Sequence, residues 1–172
     1  MSKFSIKINA VTQNLLAEST ANFYIPLYGY NGACHGLFSI GVGNLPLTGP
    51  TLALKMNRTG KLFIKFKGSF DVRLQCGFPG CVQSADITAS PKLVISSRIF
   101  DFNSSIYTQS LCNNVCQPKS SSASGSGFVT TNILGEGQII YIYINYDIIN
   151  RGGLSNLQIN NNSYIFIIEE IL

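Results

Sequence analysis

Charged side chains are scarce in this sequence. Asp, Glu, Lys and Arg make up 12% of its 172 residues, about half of the share in an average soluble protein. The polar positions are filled mostly by Asn, Ser, Thr and Gln, which form hydrogen bonds without repelling a neighbouring subunit. Because the centres of protein interfaces are depleted in charge, the shortage favours a chain that self-associates. Codon bias in an AT-rich genome is an alternative explanation of the same composition.

Long apolar runs are also missing. The longest, Ile139–Ile144, has the length of a β-strand, whereas a helix needs ~20 apolar residues to span a bilayer, so no membrane insertion is expected. The first ten residues include two lysines but no apolar core of a secretory signal. We therefore expect synthesis in a host cytoplasm, followed by a soluble state or by incorporation into a particle.

Groups that support catalysis are few. The only histidine, His35, directly follows Cys34. Adjacent residues of an extended chain point to opposite faces, so these two cannot easily form the nucleophile–base pair of a cysteine enzyme. The four aspartates and four glutamates show no spacing typical of a metal or acid–base site. The sequence therefore predicts a protein that is not an enzyme and that uses no cofactor.

Four of the five cysteines form two close pairs, Cys76 with Cys81 and Cys112 with Cys116. These are the weak candidates for zinc, which two thiol pairs could bind tetrahedrally if their loops met, although the spacings differ from the usual two-residue knuckle. A disulfide within the first pair or between the two loops is a second interpretation for a particle outside a cell. Free, partly buried thiols are the third, and we predict no metal site.

Basic residues do not form a patch typical of nucleic-acid binding. The net charge is +4 and the twelve Lys and Arg are scattered. The densest group, Lys61, Lys65 and Lys67, alternates with apolar residues and has the pattern of the polar face of a strand, on which Phe63 is the one exception. Nucleic acid is therefore not an expected partner.

Alternation with a period of two dominates the chain, and no stretch keeps the 3.6-residue period of a helix. Strands recur with turns every eight to twelve residues, which predicts an all-β antiparallel jelly-roll β-sandwich of about eight to ten strands in a single domain, residues 1–172. The surest local prediction is a hairpin of 52–56 and 62–66 around the turn 57–60. The segment 119–127, Lys-Ser-Ser-Ser-Ala-Ser-Gly-Ser-Gly, is predicted to be a flexible surface loop.

Two segments near the C-terminus are apolar on both faces. In 139–144, isoleucine and tyrosine point to one side and isoleucine to the other, and 164–168 runs without alternation. A strand that is apolar on both faces is covered on both faces, whereas a two-layer sandwich covers only one. We therefore predict that a partner subunit covers the other face, with an oligomer interface formed by Ile140, Tyr141, Ile142, Tyr164, Phe166 and Ile168.

Three consecutive segments carry a resemblance to a known family. They are 137–145 (Gly-Gln-Ile-Ile-Tyr-Ile-Tyr-Ile-Asn), 154–159 (Leu-Ser-Asn-Leu-Gln-Ile) and 162–169 (Asn-Ser-Tyr-Ile-Phe-Ile-Ile-Glu). Together they resemble the C-terminal end of the tumour-necrosis-factor-like jelly rolls, in particular the version found in viral and bacteriophage capsid, decoration, fibre-head and receptor-binding proteins. The resemblance implies a homotrimer whose terminal strands pack near the threefold axis.

These observations favour a virion structural protein, a minor capsid, decoration or fibre-head subunit, whose partners are copies of itself and other virion proteins. A carbohydrate- or receptor-binding module, whose loops 31–35 or 103–126 would read a host glycan, is the alternative. The expected location is the virion. An enzyme on a β-scaffold is a third class, and it predicts a cleft with a cluster of polar residues.

Overall fold

A computed structural model describes residues 3–9, 13–15, 21–26, 30–31, 36, 38–45, 49–75, 83–112, 119–151 and 156–171. These residues form thirteen strands: β1 Lys3–Asn9, β2 Gln13–Leu15, β3 Ala21–Pro26, β4 Tyr30–Asn31, β5 Phe38–Leu45, β6 Gly49–Met56, β7 Gly60–Gln75, β8 Gln83–Ile95, β9 Arg98–Asp101, β10 Ile106–Cys112, β11 Lys119–Leu134, β12 Ile139–Arg151 and β13 Asn156–Glu170. Within the described ranges, no helix has the length and apolar character needed to cross a bilayer.

The strands form two antiparallel sheets. The first sheet has the order β11-β7-β13-β1-β4, with β2 beside β13, and the second has the order β10-β8-β12-β6-β5, with β3 beside β12 and β9 beside β8. From β6 onwards the chain crosses repeatedly between the sheets, so that β7, β11 and β13 lie in one and β8, β10 and β12 in the other. This interleaved order is that of a double-sheet jelly roll. The prediction of an all-β antiparallel jelly roll is confirmed, with short extra strands raising the number.

The predicted hairpin around residues 57–60 is wrong, although both of its strands exist. Strand β6 pairs with β5 and β12 in the second sheet, whereas β7 pairs with β11 and β13 in the first. The short turn therefore carries the chain from one sheet to the other. Alternation fits both arrangements because each strand turns one apolar face to the core in either case.

The segment 119–127 is the first half of a strand, so the prediction of a flexible loop there is also wrong. Strand β11 pairs with β7 from Lys119 to Leu134, with one irregularity after Thr130. Its small residues serve close packing, since an ideal Cβ on Gly125 would lie only 3.0 Å from the Cγ1 atom of Ile106 on β10. The glycine at this position therefore lets β11 and β10 approach each other.

Gly127 gives the clearest test of this close packing. A Cβ at this position would lie 2.6 Å from Cε1 of Phe66 and 2.8 Å from Oδ1 of Asn103. We expect Gly127→Ala to lower the free energy of unfolding by about 1–3 kcal/mol, because overpacking forces its neighbours to move. Gly135→Ala is the matched control, since nothing lies within 4 Å of its Cβ position, and it should change stability by less than about 0.5 kcal/mol. Equal losses in urea denaturation would contradict this account.

The core between the sheets contains a cluster of aromatic rings. Phe66 and Phe166 come from neighbouring strands of the first sheet, and Phe102 follows β9 of the second. The Phe102 ring lies 5.4 Å from that of Phe66 and 6.1 Å from that of Phe166, both in edge-to-face geometry, the arrangement that ring quadrupoles favour. The cluster therefore joins the two layers.

A cluster of hydrogen-bonded polar groups lies inside this core. The hydroxyl of Tyr146 is hydrogen-bonded to the Oδ1 atom of Asn162 and to the hydroxyl of Tyr164. Burial raises the pKa of Tyr146 and of Tyr164 far above the ordinary value, and the contact with Tyr164 raises the pKa of Tyr146 further. Both tyrosines are therefore held in the neutral form while the chain is folded.

Alkaline pH should weaken the fold through these tyrosines. A raised pKa in the folded state gives stability that is complete below the unfolded value of about 10 and is lost as pH rises beyond it. Above that pH each buried tyrosine should lower the free energy of unfolding by about 1.4 kcal/mol per pH unit. Tyr164→Phe should reduce this slope in urea titrations, whereas Tyr107→Phe, at an exposed position, should not. A slope unchanged by Tyr164→Phe would contradict the prediction.

Candidate self-association surface

The outer face of the first sheet carries apolar side chains on its central strands. On β13, Ile165 and Ile167 point outward and are half-buried, while their neighbours point into the core. The register places Ile165 beside Lys67 and Ile167 beside Lys65 of β7. Because both lysines are exposed, this is the face of the sheet that the core does not cover.

Two phenylalanines extend this face towards β11. The rings of Phe63 and Phe128 lie 5.4 Å apart, and Phe128 is 46% exposed. Phe128 pairs with Lys65 in the register, which places it in one cross-strand row with Ile167. We call Phe63, Phe128, Ile165 and Ile167 the outer apolar strip.

Lys65 lies between Phe128 and Ile167 in the cross-strand row of this strip. The ammonium group of Lys65 lies 5.3 Å from the ring centroid of Phe63, within the range of a cation–π contact. Lysine stems also cover apolar surface while their charged ends stay in water. An open groove of about 420 Å³ runs between Lys65, Lys67, Phe128 and the two isoleucines, so the surface has both relief and apolar area.

A second apolar surface lies where the two sheets meet at one edge. Phe100 of β9 and Ile133 of β11 are 36% and 61% exposed. Together with the half-buried Ile95 and Val129 they line an open groove of about 360 Å³. We call these four residues the edge groove. It differs from the outer apolar strip in residues, shape and position.

The structure corrects the predicted oligomer interface. Five of its six residues have exposures of 0–1% and belong to the core of the chain itself: Ile140, Ile142, Tyr164, Phe166 and Ile168. Side chains alternate between the two faces of β12 and β13, and those of these five residues point into the space between the sheets. They therefore have no exposed surface that could contact another chain. The interface hypothesis therefore moves to the opposite side of β13.

The sixth residue, Tyr141, does lie on an outer face, that of the second sheet. Its ring is half-buried and packs over Gly43 of β5, where an added Cβ would lie 2.5 Å from Cε1 of the tyrosine. Two residues further, Tyr143 is only 4% exposed. The chain therefore shields part of the outer face of β12 by itself, contrary to the expectation that a partner must cover it.

The residues of the outer apolar strip were missed in the sequence for one reason. The sequence predicts that one side of β13 is covered by a partner, but it does not say which side. Phe63 was a usable signal, since it is the apolar exception on the lysine-bearing face of β7.

The cysteines and the histidine provide no described site. Cys76, Cys81 and Cys116 lie outside the described residues, as do Cys34 and His35, and only the backbone of Cys112 is described, at the end of β10. Within the part of the chain that the structure describes, no three His, Cys, Asp or Glu side chains are grouped to hold a metal ion. The state of the two cysteine pairs stays a prediction.

Comparisons with known proteins give only distant structural likenesses. No protein-family model and no curated protein matches the chain. Among solved structures, murine APRIL is similar at 10% identity and a TM-score of 0.43, over 98% of this chain and 99% of that one. The globular domain of a zebrafish complement 1qA protein has 13% identity and a TM-score of 0.37, covering 99% and 98%. Eiger TNF from S. frugiperda has 9% identity and a TM-score of 0.33, covering 92% of each chain. These likenesses are too weak to argue from, so the jelly-roll assignment rests on the strand order.

Proposed function

We propose that this chain is a virion structural protein, a minor capsid, decoration or fibre-head subunit, that acts by self-association and surface binding. The observation that carries the proposal is the outer apolar strip. Apolar surface that the core of a folded domain leaves uncovered marks an interaction site when it forms a patch, and this strip joins the exposed Phe128 to three half-buried apolar residues. The proposal includes no catalytic step and no cofactor.

The two apolar surfaces indicate how the copies associate. A twofold contact uses the same patch on both subunits, whereas contact between two different patches leads to a ring if the rotation closes. The outer apolar strip of one copy and the edge groove of the next are different patches on one chain. We therefore propose a closed head-to-tail ring, and we take its size from the homotrimer that the resemblance to the tumour-necrosis-factor-like jelly rolls implies.

The proposed location is the virion, after synthesis in a host cytoplasm, and the further partners are other virion proteins. Antibodies against the chain should label purified virus particles from the organism that encodes it, seen as gold particles at fixed positions in electron micrographs. Labelling of a host-cell structure and not of particles would contradict the virion role. That result would leave the self-association proposal standing.

A carbohydrate- or receptor-binding role is the second candidate, and one observation favours it. Tyr107 is 59% exposed on β10, and its hydroxyl donates a hydrogen bond to the Oδ1 atom of Asp86 at 3.1 Å. An exposed aromatic face beside a carboxylate suits a sugar ring, which stacks and forms hydrogen bonds together. A glycan array with hits that disappear on Tyr107→Ala would support this candidate. An array without hits would count against it.

A further inference from the structure

Strand β11 has one lateral edge that no strand of the described residues occupies. It pairs with β7 along its length, and among the described residues no strand pairs with its other side. Strand β10 packs close to its inward-facing small residues without forming a ladder with it. The free edge therefore points sideways from the first sheet.

A single contact shows which backbone groups face this edge. The amide N–H of Phe128 donates to the side-chain Oδ1 of Asn103 at 2.7 Å, and the N–H of Asn103 donates to the carbonyl oxygen of Phe128 at 3.0 Å. Asn103 thus occupies the position of a neighbouring strand at this one residue. The N–H and C=O groups of Phe128 therefore face away from β7. Because this direction alternates along a strand, the N–H and C=O groups of every second residue of β11 also face away from β7.

Before Phe128, the residues of β11 with this orientation are all serines: Ser120, Ser122, Ser124 and Ser126. The register with β7 continues without a shift from Lys119 to Thr130, so the N–H and C=O groups of these serines point to the free edge. Their side chains are exposed on the outer face of the sheet. Within the described part of the chain, no backbone hydrogen bond outside the strand ladders involves these four serines.

This edge lacks the features with which proteins usually prevent strand addition. Natural edge strands are short, bulged, or protected by proline and charge. From 119 to 129 the strand has no proline, no bulge and one charge, Lys119, at its start. Protection begins only at Phe128, which Asn103 covers, and at the irregularity after Thr130.

We propose that this edge binds the same edge of a second copy, antiparallel, so that two first sheets join into one continuous sheet. From residue 120 to residue 127 the edge offers only the small side chains of serine, alanine and glycine, so a partner strand with equally small side chains can approach it closely. The serine-rich strand is itself such a partner. Antiparallel pairing centred near Ala123 brings serine opposite serine, where hydroxyls form hydrogen bonds across strands, and it keeps the two copies of residue 119 at opposite ends of the paired segment.

This contact is separate from the proposed ring. It uses backbone groups at the edge of β11, whereas the ring uses the outer apolar strip and the edge groove. A twofold contact between two rings doubles the mass of the assembly. The two contacts can therefore be distinguished by the mass that remains when one of them is lost. Loss of one does not require loss of the other.

Ser124→Pro tests the proposal. Proline removes the N–H that faces the free edge and blocks an incoming strand, while the ladder to β7 uses the other set of residues and stays intact. Ser124→Ala is the matched control, since it keeps the N–H. In sedimentation velocity, wild type and Ser124→Ala should contain a species with twice the mass of the largest species of Ser124→Pro, with equal far-UV circular dichroism. Equal masses for all three proteins would overturn the proposal.

Hydrogen exchange of the wild type gives a second readout if the proline variant fails to fold. The amide hydrogens of Ser120, Ser122 and Ser124 should exchange slowly in concentrated protein and faster on dilution, while those paired with β7 stay protected. Exchange of these three amides that does not depend on concentration would overturn the edge contact. The ring proposal has its own test in Ile167→Lys, which leaves this edge unchanged.

Discussion

Ile167→Lys should break the ring contact while leaving the chain folded. Ile167 is half-buried in the outer apolar strip and lies beside Lys65 in the cross-strand register. A lysine here would bring an unpaired charge into the interface, and its nearest charged neighbour carries the same sign. An uncompensated buried charge costs about 3–5 kcal/mol, which corresponds to association weaker by at least about a hundredfold.

Light scattering behind a sizing column measures this effect directly. Ile149→Lys is the matched control, because Ile149 is 41% exposed and lies on the outer face of the second sheet, beside Asp86. The control should keep the mass of the wild type, whereas Ile167→Lys should elute with the mass of a single chain, or of two chains where the β11 edges stay joined. An unchanged mass for Ile167→Lys would show that the outer apolar strip is not the contact.

Phe166→Ala should have the largest effect on stability. The side chain is 0% exposed, and its ring lies 6.5 Å from that of Phe66 and 6.1 Å from that of Phe102. Removing a buried ring costs about 3–5 kcal/mol of unfolding free energy, because transfer energy is lost and a cavity is left. Ile165→Ala, one residue away on the opposite face, should cost about 1 kcal/mol or less in a single chain.

Urea denaturation should be carried out in the Ile167→Lys background, because association with other copies adds to apparent stability. In that background the ring contact is absent. The ratio of the unfolding free energies lost in Phe166→Ala and in Ile165→Ala then reports the packing within one chain. Equal losses for Phe166→Ala and Ile165→Ala would contradict the assignment of the two faces of β13.

The alternation of apolar and polar residues was sufficient to predict the fold class. In β7, Leu62 and Ile64 are buried while Lys65 and Lys67 are exposed, as the two-residue period requires. The same period could not predict which strands pair. The turn between β6 and β7 allows a hairpin or a crossing between sheets, and only long-range pairing, such as that of β7 with β13, distinguishes them.

The candidate surface was harder to predict for the same reason. Both faces of β13 are apolar. The sequence therefore shows that Phe166 and Ile165 lie on opposite faces, but it does not show which face points into the core. The register with β7 decides this, because Lys65 and Lys67 mark the outward side of the shared sheet. In β11, composition misled the prediction, since serine and glycine are typical of loops, but here the serines lie in a strand and Gly125 permits a close approach to Ile106.

The mass of the wild-type chain in solution tests the central claim most directly. Sedimentation velocity should show a stable species at three times the 18.7 kDa of one chain, or at twice that mass where the β11 edges are joined. A single species of 18.7 kDa at all protein concentrations would contradict the account, because the outer apolar strip would then face water in a stable monomer.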